Sequence, residues 1–150
     1  MSILAYFLTW TTYGTWLPGD RRCWVHKRGS VETPYQISNA SREAFARSLM
    51  PGEPVFLDAG ERVVVEGAIL AACRRKRWSV HALSVRSNHV HIVVTANGQS
   101  PERTMANLKA WASRALGKKT HRRWWTIHGS TRYIKTESSL TSAIAYVQNQ

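Results

Sequence analysis

Acidic side chains are scarce in this chain, cysteines scarcer, and no apolar run is long. Nine Asp and Glu stand against 21 Lys and Arg in 150 residues, which leaves a net charge of +12. Such an imbalance favours a polyanionic partner, most often nucleic acid and less often an anionic membrane; a merely basic soluble protein is the plain alternative. The two cysteines, Cys23 and Cys73, form no CxxC pair and no disulfide framework. Cys73 lies in an apolar helical stretch and reads as a small core residue, so a reducing cytoplasm is expected. The longest apolar run, around Ala68–Cys73, is far too short to cross a bilayer. MSILAYFLTWTTYG at the start carries no basic leader, long apolar stretch or small-residue cleavage site, so secretion is not expected. Internal repeats and low-complexity tracts are absent too.

What remains is the composition of one globular domain over residues 1–150, with 43% hydrophobic and 20% charged residues. That length buries a core without disulfides or a structural metal. Seven tryptophans need either that core or flat ligands to stack on.

Ala5–Thr12 is aromatic and β-branched, ends at Gly14, and reads as a first strand. An irregular excursion over about 14–59 follows, broken by Pro18-Gly19-Asp20, Lys27–Ser30 and Pro51-Gly52, with one helix expected at Ala40–Met50. Asp58 and Glu61 have capping-box spacing and open a helix to about Arg77. Trp78–Ser87 and His89–Thr95 read as strands, the second with clean alternation. Ser100-Pro101-Glu102 opens a helix to about Leu116 through an N-cap, a proline at N1 and an acid in the first turn. A strand near Trp124–Ile127, a turn at Gly129-Ser130 and a strand at Arg132–Lys135 come next. The closing helix from Glu137 buries a stripe of Leu140, Ala143, Ile144 and Val147. This order predicts an α+β fold, a ferredoxin-like antiparallel-containing sheet covered by helices.

His89 and His91 are two apart on a strand, so both leave one face of the sheet while Val90, Ile92 and Val94 leave the other. Two imidazoles side by side form a bidentate metal platform if a third ligand arrives from another element. The bland alternative is a pair of exposed strand histidines. An HxHxDH metallohydrolase is excluded, because Ile92, Val93 and Val94 follow the pair. On the closing helix Tyr146 and Gln150 are i and i+4, on one stripe beside the buried one. For Tyr146 a packing aromatic at the core margin is the competing reading.

Ser87–Val94 (SNHVHIVV) followed by Ala143–Gln150 (AIAYVQNQ) resembles the single-tyrosine HUH transposases of the smallest bacterial insertion sequences. Those include relatives associated with repetitive extragenic palindromes; HUH denotes His-hydrophobic-His, here His89-Val90-His91. The resemblance implies a ferredoxin-like HUH endonuclease fold, and DNA transposition by cleaving and rejoining single-stranded or hairpin DNA. It makes Tyr146 the nucleophile, through a 5′-phosphotyrosine intermediate, and His89, His91 and Gln150 the ligands of a divalent metal. Mg²⁺ or Mn²⁺ suits a mixed nitrogen–oxygen site, with Mn²⁺ the more tolerant of imidazole. A tyrosine with a pKa near 10 is a poor nucleophile at neutral pH, and a metal on the phosphate supplies the missing activation. The resemblance also implies a homodimer, with a monomer as the alternative; the 14–59 excursion has no counterpart role.

For DNA contact the sequence offers the basic clusters Arg21-Arg22, Lys27-Arg28, Arg74-Arg75-Lys76-Arg77 and Lys118-Lys119 with Arg122-Arg123. Trp124, Trp125, Trp16 and Trp24 are candidate stacking platforms, each competing with a place in the core. A non-catalytic nucleic-acid-binding module explains the charge and the tryptophans but not the joint placement of His89, His91 and Tyr146. A replication initiator or relaxase shares the HUH logic; the short chain and lone late tyrosine favour the transposase.

Overall fold

The structure, a computed structural model, describes residues 2–15, 24–25, 35–36, 54–117 and 123–150. The elements are β1 (Ala5–Thr11), β2 (Trp24–Val25), β3 (Tyr35–Gln36), α1 (Ala59–Lys76), β4 (Ser79–Val85), β5 (His89–Thr95), α2 (Pro101–Leu116), β6 (Ser130–Ile134) and α3 (Glu137–Gln148). Four strands form one antiparallel sheet in the order β4-β5-β1-β6, and β2 pairs with β3 in a separate two-stranded sheet. The first strand of the sheet lies between the third and the fourth, as the ferredoxin-like expectation requires. The helix expected at Ala40–Met50 lies outside the described residues.

Local chemistry sets the helix ends. Asp58 accepts from the Glu61 amide at 2.7 Å, and Glu61 accepts from the Asp58 amide at 3.0 Å, so both halves of the capping box form. Arg77 terminates α1 in the left-handed region at φ 60°. Ser100 caps α2 by accepting from the Arg103 amide, and Thr136 caps α3 through the Ser139 amide.

Strand alternation then sorts the core into two layers. Leu8, Trp10, Val90, Ile92 and Val94 meet Val65, Ile69 and Cys73 of α1 and Met105, Leu108 and Ala112 of α2. Ala5, Ala82, Val93 and Ile134 meet Ala143 and Val147 of α3 on the opposite face, with Phe7, Leu140 and Ile144 at the margin. The predicted stripe of the closing helix therefore does bury against the sheet. Cys73 is buried in the first layer as a free thiol, and burial pushes its pKa up to about 11.

Two expectations need correction. The strand expected near Trp124–Ile127 is only a single bridge between Trp125 and Thr12. Around that bridge the Trp124 carbonyl accepts from the Tyr13 amide and the Thr126 amide donates to Thr11, but the Thr126 and Ile127 carbonyls accept from the Lys109 ammonium at 2.7 and 3.4 Å instead of continuing a ladder. The two indoles likewise donate away from the sheet, Trp124 to the Gly117 carbonyl and Trp125 to that of Lys109. Ser130 then begins β6 instead of completing a turn. Gly129 precedes it because the chain passes hard against β1. A Cβ there would stand 2.5 Å from the Thr9 carbonyl oxygen and 2.8 Å from Met105 Sδ.

Candidate active site

His89 and His91 leave β5 on the face that α3 covers, with ring centroids 4.7 Å apart. The register explains what holds them. Thr9 lies opposite His91 on β1, and its Oγ1 is 2.8 Å from His91 Nδ1. Asn88, in the turn before β5, places Oδ1 2.8 Å from His89 Nδ1. An amide oxygen only accepts, so His89 donates from Nδ1 and carries its lone pair on Nε2. Anchoring one ring nitrogen in this way sets the orientation and tautomer that a metal-ligating histidine needs. His91 is 7% exposed. Burial, and then the neighbouring His89, push its pKa down to about 4, so the ring is neutral at physiological pH. The pair thus fits a divalent metal in chemistry, as two anchored imidazoles on one sheet face with the His91 ring neutral.

Tyr146 lies on α3, directly beside this pair. Its ring is 5.6 Å from that of His91 and 5.9 Å from that of Phe7, which is itself 5.6 Å from His91. Phe7 belongs to the second core layer, so it fixes the tyrosine ring sideways while 52% of the residue stays exposed. A phenol that is packed on one edge and open to solvent elsewhere can meet a large substrate.

Gln150 follows one turn later. Its Nε2 donates to the Tyr146 carbonyl at 3.3 Å, and its own backbone carbonyl accepts from Arg86 at 3.2 Å. These bonds close the helix end beneath Tyr146 and leave Oε1 as the atom of that side chain with ligand character. Among the described residues no three His, Cys, Asp or Glu cluster as a metal-binding group.

The basic residues separate. Arg74, Arg75, Lys76 and Arg77 are exposed at the end of α1, across the sheet from the histidines. There Arg75 and Arg114 flank the Trp111 ring at 4.8 and 5.0 Å. Arg123 and the half-buried Trp124 line a groove beside α2 instead. Lys118, Lys119 and Arg122 lie outside the described residues, as do Arg21, Arg22, Lys27, Arg28, Trp16 and the side chain of Trp24. Trp125 is buried edge-on against Trp10 and is a core residue, not a stacking platform. Sequence reasoning missed Thr9, Phe7 and Arg86, whose roles follow only from register and packing. Asn88 had a signal, as a carboxamide directly before the first histidine.

The class defined by this sheet, with helices on both faces and a histidine pair beside a helical tyrosine on one of them, is α+β and ferredoxin-like. The family model described as "Transposase IS200 like" matches residues 54–150, and the chain belongs to that family. The fold resembles a REP-associated tyrosine transposase bound to a REP hairpin, with a TM-score of 0.56 at 12% identity, over 98% of this chain and 67% of that one. It also resembles a candidate transposase from Deinococcus radiodurans R1, with a TM-score of 0.49 at 14% identity, over 100% of this chain and 92% of that one. A search of curated proteins finds no match. No helix of the described residues is long and apolar enough to cross a membrane.

Proposed function

We propose that this transposase-family chain cleaves and rejoins single-stranded DNA through Tyr146, at a divalent metal held by His89 and His91 with Gln150. The observation that carries the reading is the contact of the Tyr146 and His91 rings, 5.6 Å apart, from two elements distant in sequence. Core packing alone does not call for an oriented pair of imidazoles beside an exposed phenol.

In the proposed step, Tyr146 Oη attacks the scissile phosphorus and gives up its proton. The P–O3′ bond breaks, the departing oxygen takes a proton to become a 3′-OH, and the 5′-phosphate remains as a phosphotyrosine ester. When bound, Mg²⁺ or Mn²⁺ supplies charge stabilisation on the non-bridging phosphate oxygens. Thr9 and Asn88 hold the two imidazoles, and Phe7 holds the attacking ring against the sheet. Attack by a second 3′-OH on the phosphotyrosine reverses the step and joins a new strand without a high-energy cofactor.

The test is incubation with end-labelled single-stranded and hairpin oligonucleotides in Mn²⁺, resolved on denaturing gels. A covalent protein–DNA adduct is expected from the wild type and none from Tyr146→Phe, which keeps the ring and its packing. An adduct that survives in the variant and maps to another residue overturns the assignment. His89→Ala is expected to abolish cleavage while leaving most DNA binding, as a chelator should.

A further inference from the structure

Side chains of the edge strand β6 alternate between the two faces of the sheet, and their contacts fix which goes where. Thr131 Oγ1 donates to Glu102 of α2 at 3.2 Å, and the Tyr133 ring packs edge-on against Tyr6 at 5.7 Å. Glu102 and Tyr6 both belong to the side that α1 and α2 cover. Ile134 is buried in the opposite layer, with Ala143 and Val147 of α3. Arg132, two residues before it, therefore leaves the sheet on the face of His89, His91 and Tyr146.

Register sets its neighbour. Arg132 pairs with Phe7 of β1, which places the two Cβ atoms about 5 Å apart across the strand gap. The Phe7 ring lies 5.9 Å from that of Tyr146 and 5.6 Å from that of His91. One side chain thus separates Arg132 from both rings of the site, a distance that so long a side chain spans. The helix leaves room for it. α3 packs over β4 and β5 and meets β6 at Ile134, while Ser130 and Arg132, further along the same face, are exposed. The carboxylate that β6 does contact, Glu102, lies across the sheet. A charge on an edge strand also discourages strand-to-strand aggregation, but that duty requires neither this face nor this neighbour.

We propose that Arg132 is a further catalytic residue, whose guanidinium donates to the non-bridging oxygens of the scissile phosphate as Tyr146 attacks. The role rests on the proposed cleavage reading. No bond to Arg132 forms or breaks. Negative charge builds on those oxygens as the phosphorus gains its fifth ligand, and a cation already in place stabilises it. The planar fork of N–H donors meets two oxygens at once, which a lysine ammonium does not.

Single-turnover adduct formation tests this, on an end-labelled single-stranded oligonucleotide that the wild type cleaves, with Mn²⁺ and protein both saturating. Arg132→Gln is expected to slow the step about 100-fold, with Arg132→Lys between it and the wild type. Mn²⁺ affinity by calorimetry and Tm should stay at the wild-type values, because an exposed edge position touches neither imidazole. A wild-type rate in Arg132→Gln at saturating protein, with only DNA affinity weakened, makes Arg132 an ordinary phosphate contact and overturns the role. A slower rate that comes with lost Mn²⁺ affinity or a lower Tm overturns it as well, since the damage is then structural. Absence of the adduct from the wild type itself overturns the cleavage reading, and the role of Arg132 with it.

Discussion

At the scale of single residues, the hydroxyl of Thr9 is the least conspicuous part of the site and among its most testable. It reaches His91 Nδ1 at 2.8 Å from the neighbouring strand. Thr9→Val keeps the β-branched shape and removes that bond, so His91 loses its anchor. Partners of this kind are commonly worth 10- to 100-fold in metal affinity. Mn²⁺ titration by calorimetry is expected to show a loss of about tenfold or more, with a stability change of only about 1 kcal/mol. Equal Mn²⁺ affinity in the variant and the wild type would show that Thr9 does not orient the ligand.

The elements that carry the site are held by their ends. Asp58 and Glu61 satisfy two backbone donors at the start of α1. Asp58→Ala is expected to cost about 1 kcal/mol, which for a chain of this size lowers Tm by roughly 2–4 °C in calorimetry. Because α1 lies across the sheet from the histidines, Mn²⁺ affinity should not change. Gly129 is the opposite case. A methyl group there meets the Thr9 carbonyl oxygen and the Met105 side chain, so Gly129→Ala must displace β1 or the start of β6. A loss of about 1–3 kcal/mol is expected, together with weaker metal binding, since Thr9 moves. Loss of stability with metal affinity intact would mean that the start of β6, not β1, gives way.

For the whole molecule, charge and the buried thiol set the behaviour. A net +12 predicts that affinity for single-stranded DNA falls with salt, at roughly −0.7 in log–log slope for each phosphate contact. Affinity that stays flat between low and moderate salt would contradict this. The Cys73 pKa is raised from about 9 to about 11, so from pH 9 to 11 the unfolded chain loses that proton first. The thiol's stabilising contribution is full below pH 9 and disappears as pH rises through 11. Lys109 acts in the other direction, because its folded pKa of about 8 lies below its ordinary 10.5. Comparing wild type with Cys73→Ala cancels the lysine. The stability gap between them, measured by urea denaturation, is expected to narrow from pH 9 to 11.

Much of this was legible in the order of residues, because period and capping are local. Alternation along His89–Thr95 sends both imidazoles to one face whatever the rest of the chain does. The Asp58/Glu61 and Ser100-Pro101 signals mark helix starts from chemistry within four residues, and the stripe of Leu140, Ala143, Ile144 and Val147 faces inward as its spacing demands. The failure at Trp124–Ile127 has a tertiary cause that no pattern shows: the Thr126 and Ile127 carbonyls, which would have joined a ladder, bond the ammonium of Lys109 on α2. Register is decided only when strands meet, and it brings Thr9 to His91; the docking of α3 then sets Tyr146 against both Phe7 and His91. The sequence by itself determined which residues share a face. The tertiary structure decided which faces meet, because side-chain contact between elements depends on how the sheet pairs and on where α3 docks, and neither is a property of any one segment.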